Sequence, residues 1–216
     1  MKGRSLLITL SLLCLGSKLS GDASGTTLPF YTEPTFTPQW FEEMPQDLHK
    51  IPEFSLTDQF GKSINQEQLR GNIYIANFFF TACPGICPKM TDNLQSIQKS
   101  FSNEPRVKIL SHSVAPSVDT VEQLKDYAER NQIDGSKWHL LTGSQEKIYT
   151  LARKSYFADK AIGFNKSTNE FLHTENFVLV DTEGRIRGVY NGIRSLDMQR
   201  LTTDIHTLLE ESKENS

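Results

Sequence analysis

The chain has 216 residues, 37% of them apolar, enough to bury one full core within the usual single-domain range. Its formal net charge is -3, with 23 Lys and Arg scattered among 26 Asp and Glu. No basic stripe that could track a phosphate backbone is present, so nucleic acid is excluded as an expected partner.

At the N-terminus, Lys2 and Arg4 precede the apolar stretch Leu6 to Gly16, and small or polar residues follow from Ser17 to Thr27. That order is the grammar of a signal peptide, and the stretch falls short of the ~20 apolar residues a membrane span needs. Cleavage is expected after Cys14-Leu15-Gly16 or after Gly21-Asp22-Ala23, giving an exported protein that is periplasmic or faces the periplasm. The alternatives are a retained anchor or acylation at Cys14, either of which supplies a membrane tether. Leu13 before Cys14 is larger than acylation prefers, and a cysteine there also reads as one more small apolar residue. We therefore take residues 1–20 as a signal peptide or membrane anchor.

Residues 21–50 read as an extended arm, with Pro29, Pro34, Pro38 and Pro45 interleaved with Phe30, Tyr31, Phe36, Trp40 and Phe41. Disordered linkers are poor in aromatics, so the arm is expected to lie on the domain. The domain itself is expected over residues 51–212. It opens with a short hairpin, Ile51 to Leu56 and Lys62 to Ile64 around Asp58-Gln59-Phe60-Gly61, followed by one helical turn from Gln66 to Arg70. Ile73 to Phe80 is a nearly unbroken apolar and aromatic run, as in a central strand covered on both faces. Met90, Leu94, Ile97 and Phe101 then recur at helical spacing, and Val107 to Leu110 is a second buried strand, which completes a β-α-β unit. Helices are expected at Asp119 to Asn131 and Ser144 to Lys154, a hairpin at Asn176 to Asp181 and Ile186 to Tyr190, and a closing amphipathic helix at Leu196 to Leu209. The order is that of an α/β thioredoxin-like fold: a central sheet flanked by helices, with an N-terminal extension and an insertion before the C-terminal hairpin.

The chemistry concentrates in Cys83-Pro-Gly-Ile-Cys87-Pro. Proline disfavours helix in the residue before it and suits the first position of a helix, so a helix is expected to begin at Pro88. Cys87 then stands at that helix N-terminus and Cys83 at the end of the central strand, where free amides and the helix dipole favour thiolate. Thiolate is both the nucleophile of disulfide exchange and the metal-binding form. A bridge closing so short a loop adds little stability, which argues against a merely structural pair. Three residues separate the cysteines where a thioredoxin redox motif has two, and two soft thiolates with an imidazole suit Cu(I). Structural zinc usually takes four protein ligands. His173, just before the Asn176 strand, is the third ligand expected, because in this fold its loop faces the cysteine helix; His112, at the end of the Val107 strand, is second choice. His49, His139, His206 and Met90 are read as structural.

Phe79-Phe-Thr-Ala-Cys83-Pro-Gly-Ile-Cys87-Pro, Asp119-Thr120, Trp138-His-Leu-Leu-Thr-Gly143 and the histidine before the hairpin resemble the Sco/SenC family over roughly Ile51 to Leu209. The resemblance implies a thioredoxin-fold, membrane-facing copper chaperone. It implies a copper ion held by Cys83, Cys87 and His173, and help in assembling the binuclear copper site of cytochrome c oxidase. The implied partners are the copper-site subunit of that oxidase, or another copper acceptor, and a periplasmic thiol reductant. One departure stands out: Ala115 occupies a place where the family commonly has an acidic residue.

Two other classes compete. A thiol-disulfide oxidoreductase would use Cys83 and Cys87 as a redox-active pair on the cysteines of a copper-site apoprotein, and one protein can do both, since a disulfide abolishes the metal site. A peroxidase of the peroxiredoxin kind fits worst, because Ala76 and Phe80 stand where those enzymes carry a proline and a threonine.

Overall fold

Ile73–Phe79 forms the middle strand of the sheet and is buried at every position, as its unbroken apolar run requires. The computed structural model describes residues 27–158 and 174–214, so the leader, Cys14 and His173 lie outside the described residues. Before the middle strand come β1 (Ser55–Thr57) and β2 (Ser63–Asn65), a small antiparallel hairpin, and the single turn α1 (Gln66–Leu69). The middle strand is β3. It continues through α2 (Cys87–Ser100) to β4 (Val107–Ser113), then α3 (Val121–Arg130) and β5 (Trp138–Leu141). α4 (Gln145–Thr150) runs into a π-helical turn at Leu151–Ser155, and β6 (Asn176–Val180), β7 (Ile186–Asn191) and α5 (Ser195–Glu214) complete the described elements.

The five long-range strands run in the order β5-β4-β3-β6-β7, with β3, β4 and β5 parallel and the β6-β7 hairpin antiparallel. This mixed sheet between helices is thioredoxin-like. On one face Ile73, Ile75 and Phe79 pack with Met90, Leu94 and Ile97 of α2, Leu124 of α3 and Leu201 and Ile205 of α5. On the other, Tyr74, Ala76 and Phe78 pack with Ile148, Ala152 and Tyr156. The alternation along β3 assigns each side chain to one layer.

Three departures from the sequence reading have physical causes. β5 was not foreseen as a strand: four residues are too few to show a period, and the segment is extended because it pairs in parallel with Ile109–His112. Its outer edge is met by the buried Gln59 side chain, whose amide donates to Trp138 O (2.9 Å) and accepts from Leu140 N (2.8 Å), as a neighbouring strand would. The first hairpin strand sits at Ser55–Thr57 because Ile51 is held elsewhere, its N–H donating to Gly184 O (2.8 Å). Of the predicted Ser144 to Lys154 helix, only Gln145–Thr150 is α-helical, and the rest is the π-helical turn.

Candidate metal and dithiol site

The loop leaving β3 carries Cys83 to the C-terminal end of the parallel strands, where open α/β sheets place their ligand sites. α2 begins at Cys87, one residue before the predicted Pro88, with Ile86 as N-cap and no side chain capping the turn. The free amides are therefore available to the sulfur. The N–H groups of Gly85, Ile86 and Cys87 and the Cys87 thiol lie around Cys83 Sγ and favour its anion.

Both cysteines are free thiols, and their surroundings differ. Cys83 is partly exposed, whereas Cys87 is 6% exposed and packs in the α2 core layer. Burial works against the Cys83 anion, but hydrogen bonds from the Cys87 thiol and the three amides outweigh it and lower its pKa. Cys87 is pushed up to about 12, first by burial and then by its hydrogen bond to Cys83, with nearby Asp119 adding like charge. The pair can thus supply one accessible thiolate and one held thiol, a suitable division for attack and resolution in disulfide exchange.

Asp119 is a member of the site that reading by residue type did not select. It is fully buried. It accepts from Thr81 Oγ1 (2.6 Å) and Thr81 N (3.3 Å) at the start of the cysteine loop, and from Ser113 Oγ (2.5 Å) at the end of β4. The signal in sequence was the Asp-Thr pair itself, since Thr120 caps α3 by accepting from Gln123 N and so fixes the residue before it.

His112 does not join the cysteines. It alternates with Ser111 and Ser113, so it points to the opposite face, stacked on Phe78 (5.1 Å) and beside Tyr156 (5.4 Å). Burial pushes its pKa down to about 4, and its Nε2 has no hydrogen-bond partner among the described residues. The second-choice ligand is thus a core residue. His49 Nε2 donates to Ser155 O (2.8 Å), His139 Nδ1 meets Asp58 Oδ2 (3.2 Å), and His206 packs against Phe101 (4.9 Å), each in a local structural contact. Met90 is 1% exposed in the core. Ala115 holds the turn before α3, its carbonyl accepting from Val118 N and Asp119 N (both 2.9 Å).

Among the described residues no group of three or more His, Cys, Asp and Glu is arranged to hold a metal ion. The cysteine pair supplies two soft donors, and His173, the third ligand expected from the sequence, lies outside the described residues. No described helix is long and apolar enough to cross a membrane.

The SCO1/SenC family profile matches residues 42–210. The SCO1 protein homolog of Bacillus subtilis is 32% identical over 159 residues, covering 73% of this chain and 81% of that one. Among solved structures, BsSco, described with a disulfide switch and as a member of the Sco family of cytochrome c oxidase assembly proteins, is 31% identical with a TM-score of 0.62, covering 77% of this chain and 96% of that one. Arabidopsis thaliana ScoI, solved with copper bound, is 28% identical with a TM-score of 0.56, covering 72% of this chain and 97% of that one. Because the matched stretch takes in the cysteine loop, the buried aspartate and the β6-β7 hairpin together, the chain belongs to the SCO1/SenC family.

Proposed function

We propose that this protein is a copper-delivery factor that carries copper, as cargo, between Cys83, Cys87 and His173 and serves the copper site of cytochrome c oxidase. The observation that carries this reading is the pair of free thiols at the N-terminus of α2, one of them partly exposed to solvent and the other buried beside it. Two thiols give soft donors for Cu(I), and binding releases their protons. The partly exposed Cys83 lets an incoming ligand from an acceptor replace the protein's donors one at a time. Its placement outside the cytoplasm, by a cleaved leader or a tether, is read from residues 1–20.

Dithiol exchange is the second reading, favoured by the asymmetry between the partly exposed Cys83 and the buried Cys87. In it, Cys83 attacks a substrate disulfide, one sulfur leaves as thiolate, and Cys87 then displaces the second. The substrate is reduced and Cys83-Cys87 becomes a disulfide, which a periplasmic thiol reductant returns to dithiol.

The test is a Cu(I) competition titration of the reduced protein against a calibrated chelator, with X-ray absorption on the product. One tightly bound copper with two sulfurs and one nitrogen is expected, with affinity lost in Cys83→Ser, Cys87→Ser and lowered about 10- to 100-fold in His173→Ala without unfolding. Binding no tighter than that of the double-serine protein would leave dithiol exchange as the function; unchanged affinity in His173→Ala would remove that residue from the site.

A further inference from the structure

A carboxylate with no solvent contact needs a reason to be there, since burying a charge is costly unless it is paired and hydrogen-bonded. Asp119 is fully buried, and no basic side chain among the described residues pairs with it. Its partners are neutral donors from the ends of two neighbouring strands. Oδ1 takes the Thr81 hydroxyl at 2.6 Å and the Thr81 N–H at 3.3 Å, and Oδ2 takes the Ser113 hydroxyl at 2.5 Å.

Thr81 stands two residues before Cys83, whose own N–H reaches back to Phe80 O (3.3 Å), so Asp119 grips the chain at the start of the cysteine loop. The grip is itself supported. Ser113 Oγ also accepts from Ala115 N (3.1 Å), Asp119 N donates to Ala115 O (2.9 Å), and Gln123 Nε2 from α3 approaches Thr81 Oγ1 at 3.5 Å. β3 and β4 are already joined there by Val114 N donating to Phe79 O (2.9 Å), so the carboxylate adds the connection from that fixed corner to the loop.

We infer that Asp119 is a positioning residue for the cysteine loop: by holding Thr81 to the end of β4 it fixes the approach to Cys83, so that the two sulfurs are presented with little left to order when a ligand arrives. A site built this way loses less conformational freedom on binding than a free loop does. The carboxylate is retained because it can accept from both strand ends at once and because hydrogen bonds to an ionised acceptor are the stronger kind. The copper arm of the test rests on the proposed function; the loop-ordering arm does not.

Asp119→Ala and Asp119→Asn are compared with the parent in the full reduced chain by NMR-detected amide exchange and by Cu(I) competition. Asp119→Ala is expected to speed exchange at the Thr81 and Cys83 amides, and to weaken Cu(I) binding, by about tenfold each, while the β3 amides of Ile75 to Asn77 stay protected. Asp119→Asn keeps an acceptor for Thr81 and can donate to Ser113 Oγ, so it is expected to restore most of both. Where Asp119→Ala does not fold, Thr81→Val against Thr81→Ser asks the same question with the carboxylate in place, the valine loosening the loop and the serine restoring it. Unchanged loop exchange, or exchange raised equally through β3 and β4, overturns the inference. Parent copper binding no tighter than that of Cys83→Ser, Cys87→Ser refutes the copper reading, and loop exchange alone then decides for or against Asp119.

Discussion

The two ends of the central sheet each bury an aspartate, and they hold it in opposite ways. At the cysteine end, Asp119 is held by two hydroxyls and an amide and has no described cation. At the far end, beyond the pairing of Val180 with Tyr74, Asp181 accepts from Arg185 Nε (2.8 Å) and Arg187 Nη1 (3.3 Å) as well as from the amides of Glu183 and Arg185. Arg187, 4% exposed, also meets Glu211 of α5 (2.9 Å), binds the carbonyls of Leu28 (2.7 Å) and Pro29 (3.2 Å), and lies over the Phe30 ring (4.1 Å). One guanidinium thus ties the arm, β7 and α5 together. The far end carries its own cations, Arg185 and Arg187, and is closed around them. The cysteine end leaves its buried anion uncompensated, which on the proposed reading suits a place that must receive a cationic cargo and release it.

The largest effect should come from the closed end. Arg187→Ala takes a buried cation from Asp181 and Glu211 and the side-chain donor from two arm carbonyls, and breaking a buried pair on one side typically costs about 3–5 kcal/mol. Urea unfolding should show a loss of that size, with Cu(I) affinity of the folded protein unchanged. Arg187→Lys should recover only part, because an ammonium cannot reproduce the planar fork that serves four acceptors here. A small loss in Arg187→Ala would mean that the ion network is not what secures this end.

Next in size is a pH effect on the far side of β4. Ser113 and His112 are neighbours, yet one faces the site and the other the aromatic layer. Burial holds His112 neutral, with a pKa of about 4 against 6.5 for the free side chain. The unfolded chain therefore binds the proton more readily between those values, so the stabilisation is complete above pH 6.5 and is lost as pH falls toward 4. The loss should amount to about 3 kcal/mol across that window. His112→Phe, which keeps the ring stack and removes the titration, should flatten that part of the stability profile; an equal slope in both proteins would assign the effect to other groups.

The same pair of neighbours shows what could be read without coordinates. The apolar run at Ile73 to Phe79 and the helical spacing of Met90, Leu94 and Ile97 identify the central strand and the helix after it, because burial on both faces and on one stripe leaves distinct periods. The cysteine loop is legible because proline after each cysteine constrains where the helix can start. The face chosen by His112 was not legible from one histidine at a strand end, since it depends on the phase of β4 against β3. Asp119, quoted only for the family resemblance, drew no role at the site for a related reason. Its donors come from Thr81 and Ser113, separate in sequence and brought together only by the parallel pairing of their strands.

The smallest effect returns to the closed end and isolates burial from charge. Lys50 and Glu183 form an ion pair at 3.3 Å beside the Arg185 turn, but their side chains are 49% and 55% exposed. Water already solvates both groups, and holding two long side chains together costs rotamer entropy, so Lys50→Ala should change stability by no more than about 0.5 kcal/mol. Arg187 and Lys50 therefore offer cations at the same end of the sheet with expected contributions that differ several-fold, and desolvation of their partners is what separates them. A loss above about 1 kcal/mol in Lys50→Ala, measured beside Arg187→Ala in the same urea series, would break that account. The surface charges would then belong to the network that closes this end, and the contrast with the uncompensated Asp119 would concern the number of cations rather than their burial.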